Sequence, residues 1–298
     1  MRNENVLTHA DDYGLSRHTS AQILECCKKG LLDGISVLPN FSCLSQDGEL
    51  LLKAMPKFPK KVTLSVHLNL MEGPCMAEKA CVPDLTDANG YLNRSWGSLF
   101  LASFLPGRKK LQRQLECEIA AQIKKVTEVL CLEGPLYIDG HQHTQMIPVV
   151  FDALCAVIER EGYQVEYIRN SAEPAGPFLK QAALYKTYRP VNFVKNLILN
   201  FCALYTEPRM QRMGCEPMYL WGLVMSGHMD ADRIEKILPD MLQKAHEKGR
   251  QLEILFHPGK LLKSEIKEEF SSAEALEFYL SDGRDVERAA LENRILKQ

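Results

Sequence analysis

"LTHADDYGLS", residues 7–16, runs an apolar lead-in into two adjacent aspartates, Asp11 and Asp12, and then a glycine. Successive strand residues point to opposite faces. A carboxylate pair at a strand end therefore predicts split roles, one group reaching a cation and the other something nearby. Taken alone, the pair also reads as a solvated strand-to-helix turn with a helix N-cap. The residues just after the strand decide between fold classes. They are Asp-Asp-Tyr-Gly, not the glycine-rich fingerprint of a dinucleotide-binding fold, and the chain has no phosphate-loop sequence.

Outward from this stretch, short apolar segments alternate with longer helical ones. Strands are expected at 5–10, 34–40, 61–70, 135–143, 164–171, 218–225 and 251–259. Helices are expected at 20–30, 111–130, 148–162, 230–249 and 283–297, with Pro239 kinking or dividing the fourth. Pro148 opens one helix, and Gly30 and Gly162 close two of them. Repeated strand–helix order implies a mostly parallel sheet. The expected fold is α/β, a single-domain, complete or incomplete β/α barrel over residues 1–298. Residues 74–110 form an expected substrate-facing insertion with Tyr91, Trp96 and Phe100.

The 298 residues suffice for one large α/β domain, and a net charge of −2 gives no electrostatic reason to expect nucleic acid or an anionic membrane. The opening residues run into a strand-like segment rather than an apolar leader, so a cytoplasmic protein is expected. "VNFVKNLILNFCALY", residues 191–205, is interrupted by Lys195 and too short to span a bilayer. It reads as an amphipathic helix packed on the domain or a lip over an apolar substrate. The ten cysteines include no C-x-x-C pair. Cys117 and Cys155 fall on apolar positions of helical patterns, which predicts reduced core residues.

Polar residues recur where strands end. Asp11 and Asp12 follow the first strand. His67 lies in "SVHLNL" with Glu72 just beyond, and Asp139, His141 and His143 follow "PLYI". Arg169 ends "EYIR", and His257 precedes Pro258-Gly259. Each has a plain alternative: His67 a satisfied core histidine, His141 and His143 a surface pair, Arg169 a partner of some carboxylate, His257 a turn residue. Read as an extended segment, "DGHQH" places His141 and His143 on one side. In β/α barrels such strand ends share one face. One carboxylate and two imidazoles suit a divalent cation with open positions. A second carboxylate beside it serves as general base, and an opposing imidazole protonates a leaving amine. The combination points to metal-assisted hydrolysis of an amide or ester.

"HADDYGLS", "VHLNLMEG", "YIDGHQHTQMIP" and "LFHPG" together resemble the motif regions of the YdjC-like carbohydrate deacetylases, a family with chitooligosaccharide and hopanoid-associated branches. The resemblance runs from residue 5 to about residue 260. It implies a polysaccharide-deacetylase-like barrel and removal of an N-acetyl group from an amino sugar, oligosaccharide or glycolipid head group. It places one divalent ion, Mg²⁺ or Zn²⁺, on Asp12, His67 and His141. It makes Asp11 the base, His257 an acid or oxyanion partner, and Arg169 the residue that orients the base. His9, Gly140 and Gln145 depart from the family's usual Asn, Ser or Thr, and His. The last leaves a third imidazole and the metal preference open, and oligomerisation is open too. Two other functions stay in play. One is a non-catalytic carbohydrate-binding protein. The other is a sugar-phosphate isomerase or aldolase, which lacks its phosphate loop here.

Overall fold

The computed structural model describes residues 6–293. Seven strands form one sheet: β1 (Val6–Tyr13), β2 (Gly34–Val37), β3 (Thr63–Leu68), β4 (Leu136–Gly140), β5 (Val165–Ile168), β6 (Tyr219–Trp221) and β7 (Leu252–Phe256). Their order is β5-β4-β3-β2-β1-β7-β6, and every pairing is parallel. The helices are α1 (Arg17–Lys28), α2 (Leu44–Ala54), α3 (Trp96–Ala102), α4 (Arg108–Val129) and α5 (Pro148–Glu161). They continue with α6 (Gly176–Lys180), α7 (Pro190–Arg212), α8 (Ala231–Glu247), α9 (Ala273–Leu280) and α10 (Gly283–Glu292). The expected terminal helix beyond residue 293 lies outside the described residues.

The sheet curls into an incomplete barrel, which settles the choice between a closed and an open ring. Among the described residues no ladder joins the edge strands β5 and β6. Leu220 N, in β6, instead donates to Ala172 O at 2.9 Å. The buried Glu173 carboxylate accepts from Gly222, Leu223 and Val224 N at 2.8, 3.0 and 2.9 Å. A side chain thus satisfies backbone donors that a further strand would otherwise pair. β6 is shorter than expected because Gly222, with φ 140°, turns the chain out of the strand.

The helices follow their apolar periodicity. Ser16 caps α1, accepting from Thr19 N, and Gly162 closes α5 in the left-handed region. In α4, Leu111, Leu115, Ile119, Ile123 and Val126 are buried. Two expectations need correcting. Pro239 does not divide α8. It lies with Glu235 on the exposed side, where the carbonyl that loses its donor is open to solvent. Cys117 is exposed and Cys155 half-buried, because the buried stripes of α4 and α5 pass beside them. All ten cysteines are free thiols.

Candidate functional site

The C-terminal ends of β1, β3 and β4 bring Asp12, His67 and His141 together. One ligand atom from each lies within 4.8 Å of the others. Asp12 Oδ1 is 3.6 Å from His67 Nε2 and 3.3 Å from His141 Nδ1. All three residues are buried, and Asp12 Oδ1 has no hydrogen-bond partner. An orphaned buried carboxylate oxygen facing two imidazole nitrogens suits a cation.

The aspartate pair does not split across the sheet as simple alternation predicts. The β1–β2 register shifts between Ala10 and Tyr13, and Asp12 takes a left-handed φ of 72°. That bulge re-aims its side chain. Asp11 Oδ2 then also comes within 3.8 Å of His67 Nε2. A non-glycine residue in this region is strained, and such strain concentrates at sites that use it.

Each imidazole has its other nitrogen occupied. His67 Nδ1 meets Asp139 Oδ1 at 2.6 Å, and Ser36 Oγ donates to Asp139 Oδ2 at 2.5 Å. Nδ1–H facing the carboxylate leaves Nε2 as the free lone pair, a common arrangement behind metal-binding histidines. Tyr279 Oη donates to Glu72 Oε1 at 2.6 Å and therefore accepts from His141 Nε2 at 2.8 Å. His141 Nδ1 is left facing Asp12. Burial opposes charge on His67, but the Asp11 and Asp139 carboxylates outweigh it and push its pKa up to about 10, so a cation at Nε2 would displace a proton from that nitrogen. Burial likewise disfavours an ionised Asp12, yet the Arg284 guanidinium, 2.8 Å from Oδ2, holds it well below the usual carboxylate range.

Asp11 rests on Arg169. Arg169 Nη1 donates to Asp11 Oδ2 at 2.9 Å, and Nη2 lies 3.1 Å from Asp139 and 2.8 Å from Glu253. The guanidinium is fully buried in the barrel interior, surrounded by three carboxylates. Against the effect of burial, it lowers the Asp11 pKa. Asp11 Oδ1 has no hydrogen-bond partner, and His9 Nε2 lies 4.0 Å from it. Glu253 also accepts from Tyr167 Oη at 2.6 Å, linking β7 to β5 across the interior. His9 packs its Nδ1 3.2 Å from Glu253 and fills the space left by Gly34. A Cβ on Gly34 would sit 2.5 Å from that nitrogen.

His257, from the end of β7, faces the same cavity. Its backbone N donates to Glu287 Oε2 at 2.6 Å, and Nδ1 lies 3.2 Å from the same oxygen. The pocket, about 830 Å³, is lined by Asp11, Asp12, His67, His141, His257 and Trp96, among others. Such a volume suits a small-molecule ligand. Of the expected aromatics, Trp96 lines the pocket, whereas Phe100 stacks behind it at 5.4 Å.

His143 lines the same pocket as His141, as expected, but does not reach it along an extended segment. Gln142 and His143 adopt left-handed φ of 51° and 59°, so the chain coils and is not extended here. His143 therefore lies outside the Asp12–His67–His141 group while still lining the pocket, with Nδ1 3.0 Å from Ser171 Oγ. Burial, helped by Arg169, pushes its pKa down to about 3. Gln145 bonds Arg169 O and Ser171 Oγ, both at 3.1 Å, and buttresses the same turn.

A family model described as "YdjC-like protein" matches residues 5–298. The chain belongs to the YdjC-like family. Among curated relatives, a "Carbohydrate deacetylase" of Danio rerio is 26% identical over 170 residues, covering 57% of this chain and 50% of that protein. A "Chitooligosaccharide deacetylase" of Escherichia fergusonii is 24% identical over 166 residues, covering 56% and 60%. The YdjC-like chain thus spans roughly half to three fifths of the length of these relatives. Its fold is similar to the crystal structure of a "putative cellobiose-phosphate cleavage protein" from Enterococcus faecalis V583. The TM-score is 0.58 at 17% identity, with 97% and 94% of the two chains covered.

Four residues of this YdjC-like site lie outside the motif segments: Glu253, Tyr279, Arg284 and Glu287. Glu253 sits in an apolar strand, where a lone charge is a usable warning. Arg284 and Glu287 are fully buried on α10, three residues apart. Their spacing puts both on one helix face, the available clue.

Proposed function

We propose that this YdjC-like protein is a metal-dependent hydrolase that removes the N-acetyl group from an amino-sugar-containing carbohydrate or glycoconjugate. The observation that carries the reading is the unpartnered Asp12 Oδ1 facing His67 Nε2 and His141 Nδ1. The relatives named carbohydrate and chitooligosaccharide deacetylase support it. Asp12, His67 and His141 would hold one divalent ion, Mg²⁺ or Zn²⁺, the two imidazoles favouring zinc on softness grounds. When bound, such an ion polarises the amide carbonyl and lowers the pKa of water from about 16 to near 7.

Asp11 is the general base. Arg169 keeps it ionised, and the free Oδ1 accepts a proton from the attacking water. His257 is the general acid. Glu287 fixes its ring, and Nε2 gives a proton to the sugar nitrogen as the C–N bond breaks. Acetate and the free amine leave, with the oxygen of water on the acetate. Pocket lining by residues 92–97 supports reading 74–110 as the substrate-facing insertion of a single catalytic domain.

The test is acetate release from a panel of N-acetylglucosamine oligomers and conjugates, with and without a chelator. Release that stops with chelator and returns with a divalent ion is expected. Sugar binding without acetate release from any member would return the protein to a non-catalytic carbohydrate-binding role.

A further inference from the structure

Helix α7 carries two apolar faces. One, with Leu199, Cys202, Ala203 and Met210, is buried against the barrel. The other bears Val194, Leu197, Phe201 and Leu204, of which Leu197 is 71% and Leu204 76% exposed. Helical spacing of three and four residues aligns these four as one stripe. A second exposed apolar group, Leu101, Phe104 and Leu105, extends from α3. The two segments meet at Asp152 of α5, which binds Arg108 on one side and Tyr205 and Arg209 on the other. Contiguous exposed apolar surface of this kind marks an interaction site.

Its position and charge identify the partner. Trp96 of the pocket stacks on Phe100 at 5.4 Å, and Phe100 meets exposed Phe104 at 5.3 Å. On α7, Val191, Lys195 and Ile198 line the pocket beside the exposed stripe. The apolar surface therefore runs outward from the pocket mouth. Although the chain is net −2, residues 176–212 hold six basic side chains and only one acidic, and residues 101–113 hold four basic and none acidic. Lys109, Arg113, Lys186, Arg189 and Arg212 are exposed and enter no ion pair among the described residues. Exposed apolar side chains flanked by lysine and arginine are the composition of an interfacial membrane anchor. No helix among the described residues is long and apolar enough to cross a membrane.

We infer that the α7 stripe and the α3–α4 turn dock this protein on an anionic bilayer surface, with the pocket mouth beside the lipid. The apolar side chains enter the acyl boundary, and the basic ones lie at the headgroups. This docking is independent of which sugar the pocket takes, and it is measured without any sugar present.

The experiment is flotation of the full chain with vesicles of phosphatidylcholine, with and without phosphatidylglycerol, at low and high salt. Binding to the phosphatidylglycerol vesicles, weakened by salt, is expected. The double variants Leu197→Glu/Leu204→Glu and Leu101→Glu/Phe104→Glu should each lower the bound fraction at least ~10-fold. Melting temperature of both variants, and turnover of a water-soluble substrate by the α7 variant, should stay at the level of the unaltered protein. The inference is overturned by absence of binding, or by binding that both variants retain. It is equally overturned by a concentration-dependent dimer that these variants dissolve while vesicles fail to bind, since a second copy then covers the face.

Discussion

Arg284 Nη1 donates to Asp12 Oδ2 at 2.8 Å across 272 positions of sequence. The last described helix thus reaches back to hold the carboxylate at the end of the first strand. Both groups are buried, so neither ion has water to fall back on.

Replacing Arg284 by Met leaves the buried, charged Asp12 without the guanidinium at its Oδ2. Denaturant unfolding in chelator should show a loss of about 3–5 kcal/mol. A saturating divalent ion should recover part of it, because the cation supplies the missing positive charge. A loss under about 1 kcal/mol, or one indifferent to the ion, would show that the pair does not support the site.

Asp11→Asn should abolish acetate release while leaving divalent-ion binding near that of the unaltered protein. Asp11 Oδ1 is free, but its other oxygen is committed to Arg169, so the amide keeps the shape and loses the base. Single-turnover kinetics beside isothermal titration separates the two effects. Near-normal kcat would remove Asp11 from its assigned role.

His257→Ala should lower kcat by roughly 10²–10³, the usual loss on removing one transition-state partner. Glu287→Gln should act through His257, because Glu287 Oε2 touches both its backbone N and Nδ1. The expected signature is a lower kcat at unchanged ion affinity, with no further loss when the change is combined with His257→Ala. Additive losses would reduce Glu287 to a structural contact with Gly227 N.

Glu173 gives a pH prediction remote from the cation cluster. Burial pushes its carboxyl from an ordinary 4.5 up to about 6, against the backbone donors that favour its charge. A raised acid binds its proton more tightly when folded. Its contribution is therefore complete below pH 4.5 and is lost as pH rises through 6. The shift corresponds to about 2 kcal/mol. In Glu173→Gln that decline should vanish, so the stability difference between the two proteins should change by about this amount from pH 4.5 to 6.5. Parallel stability curves would contradict it.

The barrel and the meeting of Asp11, Asp12, His67, His141, Arg169 and His257 were legible from strand ends, because a parallel β/α order puts all such ends on one face. His67 and Asp139 even share a register position on neighbouring strands. The finer geometry was not legible. Nothing in "DGHQH" announces that Gln142 and His143 turn left-handed, since neither is glycine. Regular alternation faces the two aspartates opposite ways, and only the β1 bulge re-aims one. Arg284 and Glu287 stand in a charge-rich helical segment, where charged side chains are normally solvated. Here the buried face of α10 meets a buried carboxylate and a histidine instead.

The decisive measurement is anomalous diffraction from crystals soaked in a zinc salt. A single peak about 2.0–2.2 Å from Asp12 Oδ1, His67 Nε2 and His141 Nδ1 is predicted. It should be absent in Asp12→Ala crystals. No peak there in an enzyme that still needs a divalent ion, or a peak held by other side chains, would contradict the account.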